Sequence, residues 1–96
     1  MIAGSCAVAA HIDGPHLHVA NTGDCGAVLG IQEDDGSWTA KVMSVTHSTD
    51  NKTERRRLHA EHPNEKGTVI KDGRVLGILE PTRAFGDFKL VAIFLL

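Results

Sequence analysis

Residues 18–30 read His-Val-Ala-Asn-Thr-Gly-Asp-Cys-Gly-Ala-Val-Leu-Gly, and the rest of the chain is interpreted outward from them. Val19 and the apolar residues 27–29 predict two strands, because β-branched and aliphatic side chains suit a pleated, half-buried surface. Gly23 predicts a turn between these strands, because glycine adopts positive φ without steric cost. Asp24 is therefore expected at the tip of a strand-to-strand turn.

Two roles for Asp24 follow from this position. A carboxylate held by a rigid sheet is well placed to bind a metal ion. The same carboxylate could instead cap the turn by accepting backbone N–H bonds, and the local pattern alone favours this cap.

The size and charge of the chain exclude several functional classes. Its 96 residues, 42% of them apolar, predict one small domain or part of a larger one. A formal net charge of −2 argues against a broad nucleic-acid surface, which requires a basic face. Two cysteines are too few for the disulfide framework of a secreted mini-protein, and the N-terminal residues lack a secretory leader pattern. We therefore expect a reducing compartment and no nucleic-acid partner.

The small apolar residues 5–10 predict a strand buried on both faces. Asp13-Gly14-Pro15 predicts a hairpin turn into a second strand. The period of two in this second strand places His16 and His18 on one face and the aliphatic side chains between them on the other.

His16 and His18 form a His-x-His pair, which can chelate zinc or copper from a strand. The simpler interpretation is a polar face with hydrogen-bonded histidines, because no cysteine or carboxylate follows at clear ligand spacing. A metal-storage module using the histidines is the remote functional alternative that this pair raises.

The middle of the chain predicts a hairpin followed by a helix. Residues 27–31 and 38–45 predict strands, and the acidic residues 33–37 between them predict a solvated hairpin loop rather than a calcium-binding loop. Residues 52–62 then predict a helix that lies on the outside of the domain.

The predicted helix carries its own start and stop signals. Asp50 or Asn51 can cap it, and Asn51 would place Glu54 at the third helical position of a capping box. Pro63 ends it. The basic residues 55–57 could contact phosphate, but acidic neighbours favour a solvated helix face.

The last third predicts short elements. Residues 67–70 and 75–79 predict strands joined by a turn at 71–74, and residues 82–85 predict a helical turn that ends at Gly86. The apolar residues 90–96 are too few to span a bilayer, which needs about 20. They predict either a buried strand or a truncated, divergent tail.

Three blocks resemble the metal-dependent protein serine/threonine phosphatases of the PPM, or PP2C-like, family. Residues 19–27 are similar to the Ala-Asn-x-Gly-Asp-Ser-Arg-Ala motif of the family, and Thr46-His47 is similar to its Asp-His segment before a Glu/Arg-rich helix. Residues 82–87, led by 74–77, resemble its Ser-Arg-Ala-Leu/Phe-Gly-Asp block. The resemblance covers residues 4 to about 89.

The resemblance implies an α+β fold, in which this chain is the central, mostly β part of an antiparallel β-sandwich with outer helices. It implies two Mg²⁺ or Mn²⁺ ions that activate a water for attack on a phosphoprotein substrate. It matches Asp24 to an aspartate near the metal centre, linked to an additional, weaker metal. It matches Arg83 and Asp87 to a mainly structural block.

The chain departs from the family pattern at two positions, with Gly26 in place of arginine and Thr46 in place of aspartate. The family takes its core metal ligands from an upstream Tyr-Asp-Gly-His-Gly strand and from aspartate motifs downstream of the matched blocks, and these lie outside the 96 residues. We therefore expect the chain alone to be inactive and marginally stable. A non-catalytic, pseudophosphatase-like interaction module is the alternative.

Four stretches resemble one branch of this family more closely, the branch that removes phosphate from the E1 component of the pyruvate dehydrogenase complex in the mitochondrial matrix. They are residues 17–24, 32–38, 57–63 and 83–87. The resemblance implies pyruvate dehydrogenase E1 as a partner and the mitochondrial matrix as the location. Apart from this resemblance, the expected location is the cytoplasm.

Overall fold

The computed structural model describes residues 3–87, which are mostly β-structure with two short helices. This confirms the prediction that the chain is mostly β-structure. The elements, in chain order, are β1 (Gly4–Ser5), β2 (Ala7–Asp13), β3 (His16–Thr22), β4 (Val28–Gln32), β5 (Trp38–Val42), α1 (Lys52–Glu61), α2 (Lys66–Val69), β6 (Ile70–Lys71), β7 (Arg74–Val75) and β8 (Phe85–Gly86).

The strands pair as four separate two-stranded antiparallel sheets: β1 with β8, β2 with β3, β4 with β5, and β6 with β7. Among the described residues, Leu58 and Val69 are the only buried apolar side chains. The radius of gyration is 16.8 Å, against about 12 Å for a compact chain of this length. The sheets therefore lie along an elongated body of 54 × 25 × 20 Å rather than around one core.

The β2–β3 hairpin confirms the turn prediction. Asp13 pairs with His16, so Gly14 and Pro15 form a two-residue connection, with Gly14 at a φ of +54°. The predicted alternation is also present, because the histidines of β3 are exposed while Leu17 and Val19 are half-buried.

The prediction that residues 5–10 form a strand buried on both faces is wrong. Strand β2 begins at Ala7, runs to Asp13, and every residue in it is exposed. Its only sheet partner is β3, so within residues 3–87 no second layer covers either face.

The prediction that residues 33–37 form a hairpin loop is confirmed, because Gln32 pairs with Trp38 across β4 and β5. Glu33 N–H donates to the Ser37 carbonyl, and Asp35 accepts from the Ser37 amide at 2.8 Å. The predicted strand 38–45 is too long, since β5 ends at Val42 and the chain then turns so that Ser44 Oγ accepts from the Ala27 amide.

Helix α1 begins after Asn51, whose side-chain oxygen accepts from the Thr53 amide at 2.9 Å. Of the two predicted caps, Asp50 and Asn51, the N-cap is therefore Asn51. The capping-box role of Glu54 is wrong, because its carboxylate binds arginines on the inner side of the helix. Most of α1 is exposed, as predicted, and Pro63 follows its C-cap.

The predicted secondary structure differs most from the observed structure in the last third of the chain. Residues 66–69 form the short helix α2 rather than a strand, because the Glu65 carbonyl accepts from the amides of Thr68 and Val69. The turn at 71–74 is confirmed, with Asp72 and Gly73 both at positive φ. The predicted strand 75–79 stops at Val75, because the next two residues adopt φ of +58° and +72°.

The predicted helical turn at 82–85 is also wrong. Phe85 and Gly86 form β8 and pair with Ser5 and Gly4. Gly86 has a φ of +85°, and a Cβ there would lie 2.4 Å from the Ala3 carbonyl oxygen, so its close approach to β1 requires glycine. The apolar tail 90–96 lies outside the described residues.

Neither helix of the described part is long and apolar enough to cross a membrane.

Candidate functional site

Asp24 lies in the link between β3 and β4, and this link is not a hairpin turn. Strand β3 pairs with β2, and β4 pairs with β5, so the two predicted flanking strands never pair with each other. The expected hairpin around Asp24 is therefore wrong. The carboxylate instead occupies the junction between two separate hairpins.

Gly23 fixes the backbone at this junction. It is buried, its φ is +100°, and a Cβ there would lie 2.2 Å from Cys6 Sγ. Both the backbone conformation and the contact with Cys6 therefore require glycine immediately before Asp24.

His47 fastens the same junction through three hydrogen bonds. Its Nδ1 accepts from the Gly23 amide at 3.2 Å, and its own amide donates to the Gly23 carbonyl at 2.9 Å. Its carbonyl accepts from the Thr82 amide at 2.9 Å. The acceptor role of Nδ1 corresponds to the tautomer with its proton on Nε2.

The Asn21 side chain also holds this junction through hydrogen bonds. Its Nδ2 donates to the carbonyls of Gly23, at 3.1 Å, and Val45, at 2.7 Å. Its Oδ1 is buried and finds no hydrogen-bond partner among the described residues. The amide therefore ties the end of β3 to the segment that precedes His47.

The Asp24 carboxylate is exposed, and its Oδ1 accepts a hydrogen bond from Cys6 Sγ at 3.3 Å. Burial raises the pKa of the Cys6 thiol, and the neighbouring Asp24 charge adds to the rise. The thiol therefore stays protonated and acts as the donor, which leaves the other carboxylate oxygen to solvent. Cys6 and Cys25 are both free.

The Glu54 cluster, formed by Glu54, Arg57, Thr82 and Arg83, supports the segment on which His47 rests. Arg83 donates to both Glu54 oxygens, at 3.0 and 2.5 Å, and Arg57 and the Thr82 hydroxyl donate at 3.0 and 2.7 Å. Only 3% of Glu54 is exposed. The Arg83 hydrogen bonds hold the Glu54 pKa far below its usual range, against a desolvation that raises it.

Arg57 extends this cluster to Glu61 at 2.9 Å. Burial lowers the pKa of Arg57, but hydrogen bonds to Glu54 and Glu61 outweigh it and raise the pKa overall. Arg57 is therefore engaged in ion pairs. The solvated-face interpretation holds for Arg56, which is exposed, but not for Arg57.

Asp24 does not fit a complete two-metal centre by itself. With the side chains of residues 3–87 as they are placed in the structure, no three histidine, cysteine or acidic groups are positioned to hold a metal ion. Residues 1–2 and 88–96 contain none of these residue types. Hard cations such as Mg²⁺ need about six oxygen ligands, so one carboxylate can serve only as a single ligand of a larger site.

The two departures from the family motif are both at exposed positions. A Cβ at Gly26 would meet only Ser44 Oγ, at 3.8 Å, so the backbone there leaves room for a side chain. Thr46 is exposed, and its carbonyl accepts from Asn51 Nδ2. Neither substitution is required by packing.

Three features of the structure lie outside the expectations drawn from the sequence. His47 was identified only as a motif residue, and its hydrogen bonds to Gly23 and Thr82 leave no local pattern. The Glu54–Arg83 pair joins residues 29 positions apart. His11 was not singled out, although it lies opposite His18 across the hairpin, and counting register back from the Gly14 turn would have found it.

The sequence of the chain matches a known protein family. The family model for protein phosphatase 2C matches residues 1–93. The chain belongs to the protein phosphatase 2C family.

Within this family, the chain is similar to several proteins named pyruvate dehydrogenase phosphatases. The chain is 55% identical over 87 residues to pyruvate dehydrogenase (acetyl-transferring)-phosphatase 1, mitochondrial, of Rattus norvegicus. It is 51% identical over 88 residues to the human protein named phosphatase 2 in the same series, and 43% identical over 90 residues to the Saccharomyces cerevisiae phosphatase 1. These matches cover 90%, 91% and 92% of this chain.

The chain spans only 16–17% of the length of these three relatives. The identity therefore applies to one segment of a longer type of protein.

Proposed function

We propose that residues 1–96 are a central segment of a PP2C-type, metal-dependent protein serine/threonine phosphatase domain, with the family-like part at about 4–89 and a divergent apolar tail at 90–96. One observation carries this proposal. The three family-like blocks meet at one place, because His47 hydrogen-bonds to Gly23 in the first block and Thr82 in the third. That meeting point holds the link that carries Asp24.

In the proposed domain, Asp24 is one carboxylate ligand of a Mg²⁺ or Mn²⁺ centre. When bound, such ions supply an activated water and stabilise charge on the phosphoryl oxygens. This chain contributes the position of one carboxylate, set by the Gly23 conformation and the His47 and Asn21 hydrogen bonds. The remaining oxygen ligands must come from other segments, so the 96-residue chain alone is inactive.

The proposed fold of the whole domain is an antiparallel β-sandwich with outer helices. Its support is the apolar surface that the hairpins expose, since Trp38, Val28 and Val42 are 68%, 65% and 71% exposed. Strands β4 and β5 place these three side chains on one face. Further strands of the domain would cover that face.

The proposed substrate is a phosphoserine or phosphothreonine protein, with the pyruvate dehydrogenase E1 component as the specific candidate and the mitochondrial matrix as the location. The names of the relatives support this, since three of them are mitochondrial pyruvate dehydrogenase phosphatases from rat, human and yeast.

A segment-exchange chimera tests the proposal. Residues 4–87 would replace the matching segment of the rat phosphatase 1, and Mn²⁺- or Mg²⁺-dependent release of phosphate from phosphorylated pyruvate dehydrogenase E1 would be measured. We expect the chimera to be active and its Asp24→Ala variant to require a higher metal concentration. Asp34→Ala, which removes a carboxylate from the exposed β4–β5 loop, is the matched control and should behave like the chimera.

An inactive but folded chimera would contradict the proposal and would support the non-catalytic interaction module. Gly26 and Thr46 favour that alternative, because they stand where the family has arginine and aspartate. A chimera carrying Gly26→Arg and Thr46→Asp separates the two. Recovery of activity only in this double variant would show that the chain has lost catalytic function at those positions.

A further inference from the structure

The histidine face of the β2–β3 hairpin consists of His11, His16 and His18. His11 lies directly opposite His18 in the register, and His16 is two residues before His18, so all three occupy the same face. All three are exposed. The ring centres of His11 and His18 are 6.0 Å apart, and those of His16 and His18 are 6.5 Å apart.

These separations are close to what one metal ion requires. Two imidazoles on one zinc ion, at Zn–N of about 2.0–2.1 Å, have ring centres about 5 Å apart. The rings must approach by about 1 Å, which rotation of exposed side chains achieves on a picosecond to nanosecond timescale without backbone movement. In the paired hairpin the register fixes the Cβ positions of the three histidines.

The local charge also favours a cation. Residues 1–40 contain five acidic side chains and no lysine or arginine. One of the acids, Asp13, lies opposite His16 on the histidine face. A bound divalent ion would therefore meet no basic side chain from its own hairpin.

We propose that the histidine face binds one Zn²⁺ or similar borderline transition-metal ion. His11 and His18 form the first two ligands across the strands, His16 completes the set by side-chain rotation, and water occupies the remaining position. Three histidines and water form a recognised open zinc site. Within residues 3–87 no three ligands are already grouped around one point, so the site assembles on binding.

This site is distinct from the one at Asp24. Strand β3 carries the chain from His18 to Thr22, a distance of about 13 Å at 3.3 Å per residue, before the bend that leads to Asp24. The ligand types also differ, because imidazoles select zinc, copper and nickel whereas carboxylates suit magnesium and manganese. The proposal therefore stands or falls independently of phosphatase activity.

The test is a zinc titration of the 96-residue chain by isothermal calorimetry at neutral pH and micromolar protein. We expect one saturable Zn²⁺ per chain, unaffected by excess Mg²⁺. His18→Gln should weaken binding by at least about tenfold, a loss of 1.4 kcal/mol, because His18 neighbours both other ligands. His59→Gln on α1 is the matched control and should bind like the parent chain.

Two further measurements make the result decisive. Zinc should shift the imidazole NMR resonances of His11, His16 and His18 in the unaltered chain, which requires no variant to fold. A Co²⁺-loaded sample should lack a thiolate charge-transfer band, and Cys6→Ser should bind as tightly as the parent. Absence of saturable binding, full affinity in His18→Gln, or loss of binding in Cys6→Ser would each overturn the proposal.

Discussion

Helix α1 and the β4–β5 hairpin differ in how far their side chains are buried and paired. The inner face of α1 buries Glu54 and Leu58 against residues that follow it in the chain, and its ion pairs to Arg57 and Arg83 are internal. The hairpin instead exposes its apolar face, with Trp38 at 68%.

The difference shows that the chain is not uniformly stable. The two buried apolar side chains of the described residues, Leu58 and Val69, lie in α1 and α2, whereas the hairpins rely on their cross-strand hydrogen bonds. A two-stranded hairpin is at best marginally stable alone. We therefore expect the α1 region to hold most of the stability of the chain and the hairpins to gain theirs from further parts of the domain.

The largest effect is expected at Glu54. Glu54→Gln removes the charge that Arg57, Arg83 and Thr82 surround, and breaking one partner of a buried ion pair costs about 3 kcal/mol. The urea midpoint of unfolding, followed by far-UV circular dichroism, measures this loss. Glu61→Gln is the control, because that half-exposed carboxylate contributes about 0.5 kcal/mol or less. Equal effects from the two variants would contradict the stabilising role of the buried Glu54 cluster.

The pH dependence of stability tests the same cluster without a large structural change. Arg83 hydrogen bonds keep the Glu54 pKa below its unfolded value, so the ionised carboxylate stabilises the folded chain. This contribution is fully present above the unfolded pKa of about 4.3 and is lost as the pH falls further towards the folded value. In Glu54→Gln, the acid-induced fall in urea midpoint should be smaller than in the parent chain. An unchanged pH profile would contradict the stabilising role of the ionised Glu54 carboxylate.

A smaller effect is expected at Gly23, in the link between the β2–β3 and β4–β5 hairpins. Gly23→Ala meets both an unfavourable φ and the Cys6 sulfur, so it should lower the free energy of unfolding by about 2–3 kcal/mol. Gly36→Ala has a similar φ of +84° but open space around it, so it should cost only about 1 kcal/mol. Cys6→Ala combined with Gly23→Ala should recover part of the loss. Equal costs at both glycines would show that Cys6 does not pack against the link.

The smallest effect is expected on the hairpin. Trp38→Thr should change the free energy of unfolding by less than about 0.5 kcal/mol, because the indole is largely exposed. The same variant should reduce self-association in sedimentation velocity, since it removes the largest side chain of the exposed face. A destabilisation above about 1 kcal/mol would mean that this face is already packed.

Local patterns predicted the hairpin turns at Gly14, Asp35-Gly36 and Asp72-Gly73, because each depends on residues adjacent in the sequence. The cap at Asn51 was predicted for the same reason. The elements after residue 66 were not, since the apolar run 75–79 resembles a strand until Leu76 and Gly77 adopt positive φ.

The candidate site was only partly predictable. The motif identified Asp24 and His47, and the metal-ligand role of Asp24 remains a prediction. The motif could not show that His47 joins Gly23 to Thr82, because those contacts span 24 and 35 positions and leave no periodic signal. Glu54 satisfied a local capping rule but its carboxylate binds Arg83, a case in which a tertiary ion pair outweighs a local preference.

Amide hydrogen exchange, measured residue by residue in the 96-residue chain and in the chimera, tests the central claim most directly. We predict that the amides of α1 near Leu58 exchange at least about tenfold more slowly than the cross-strand amides of β4 and β5 in the chain alone. In the chimera the hairpin amides should become as protected as those of α1. Equal protection of both regions in the chain alone, or no gain in the chimera, would contradict the claim.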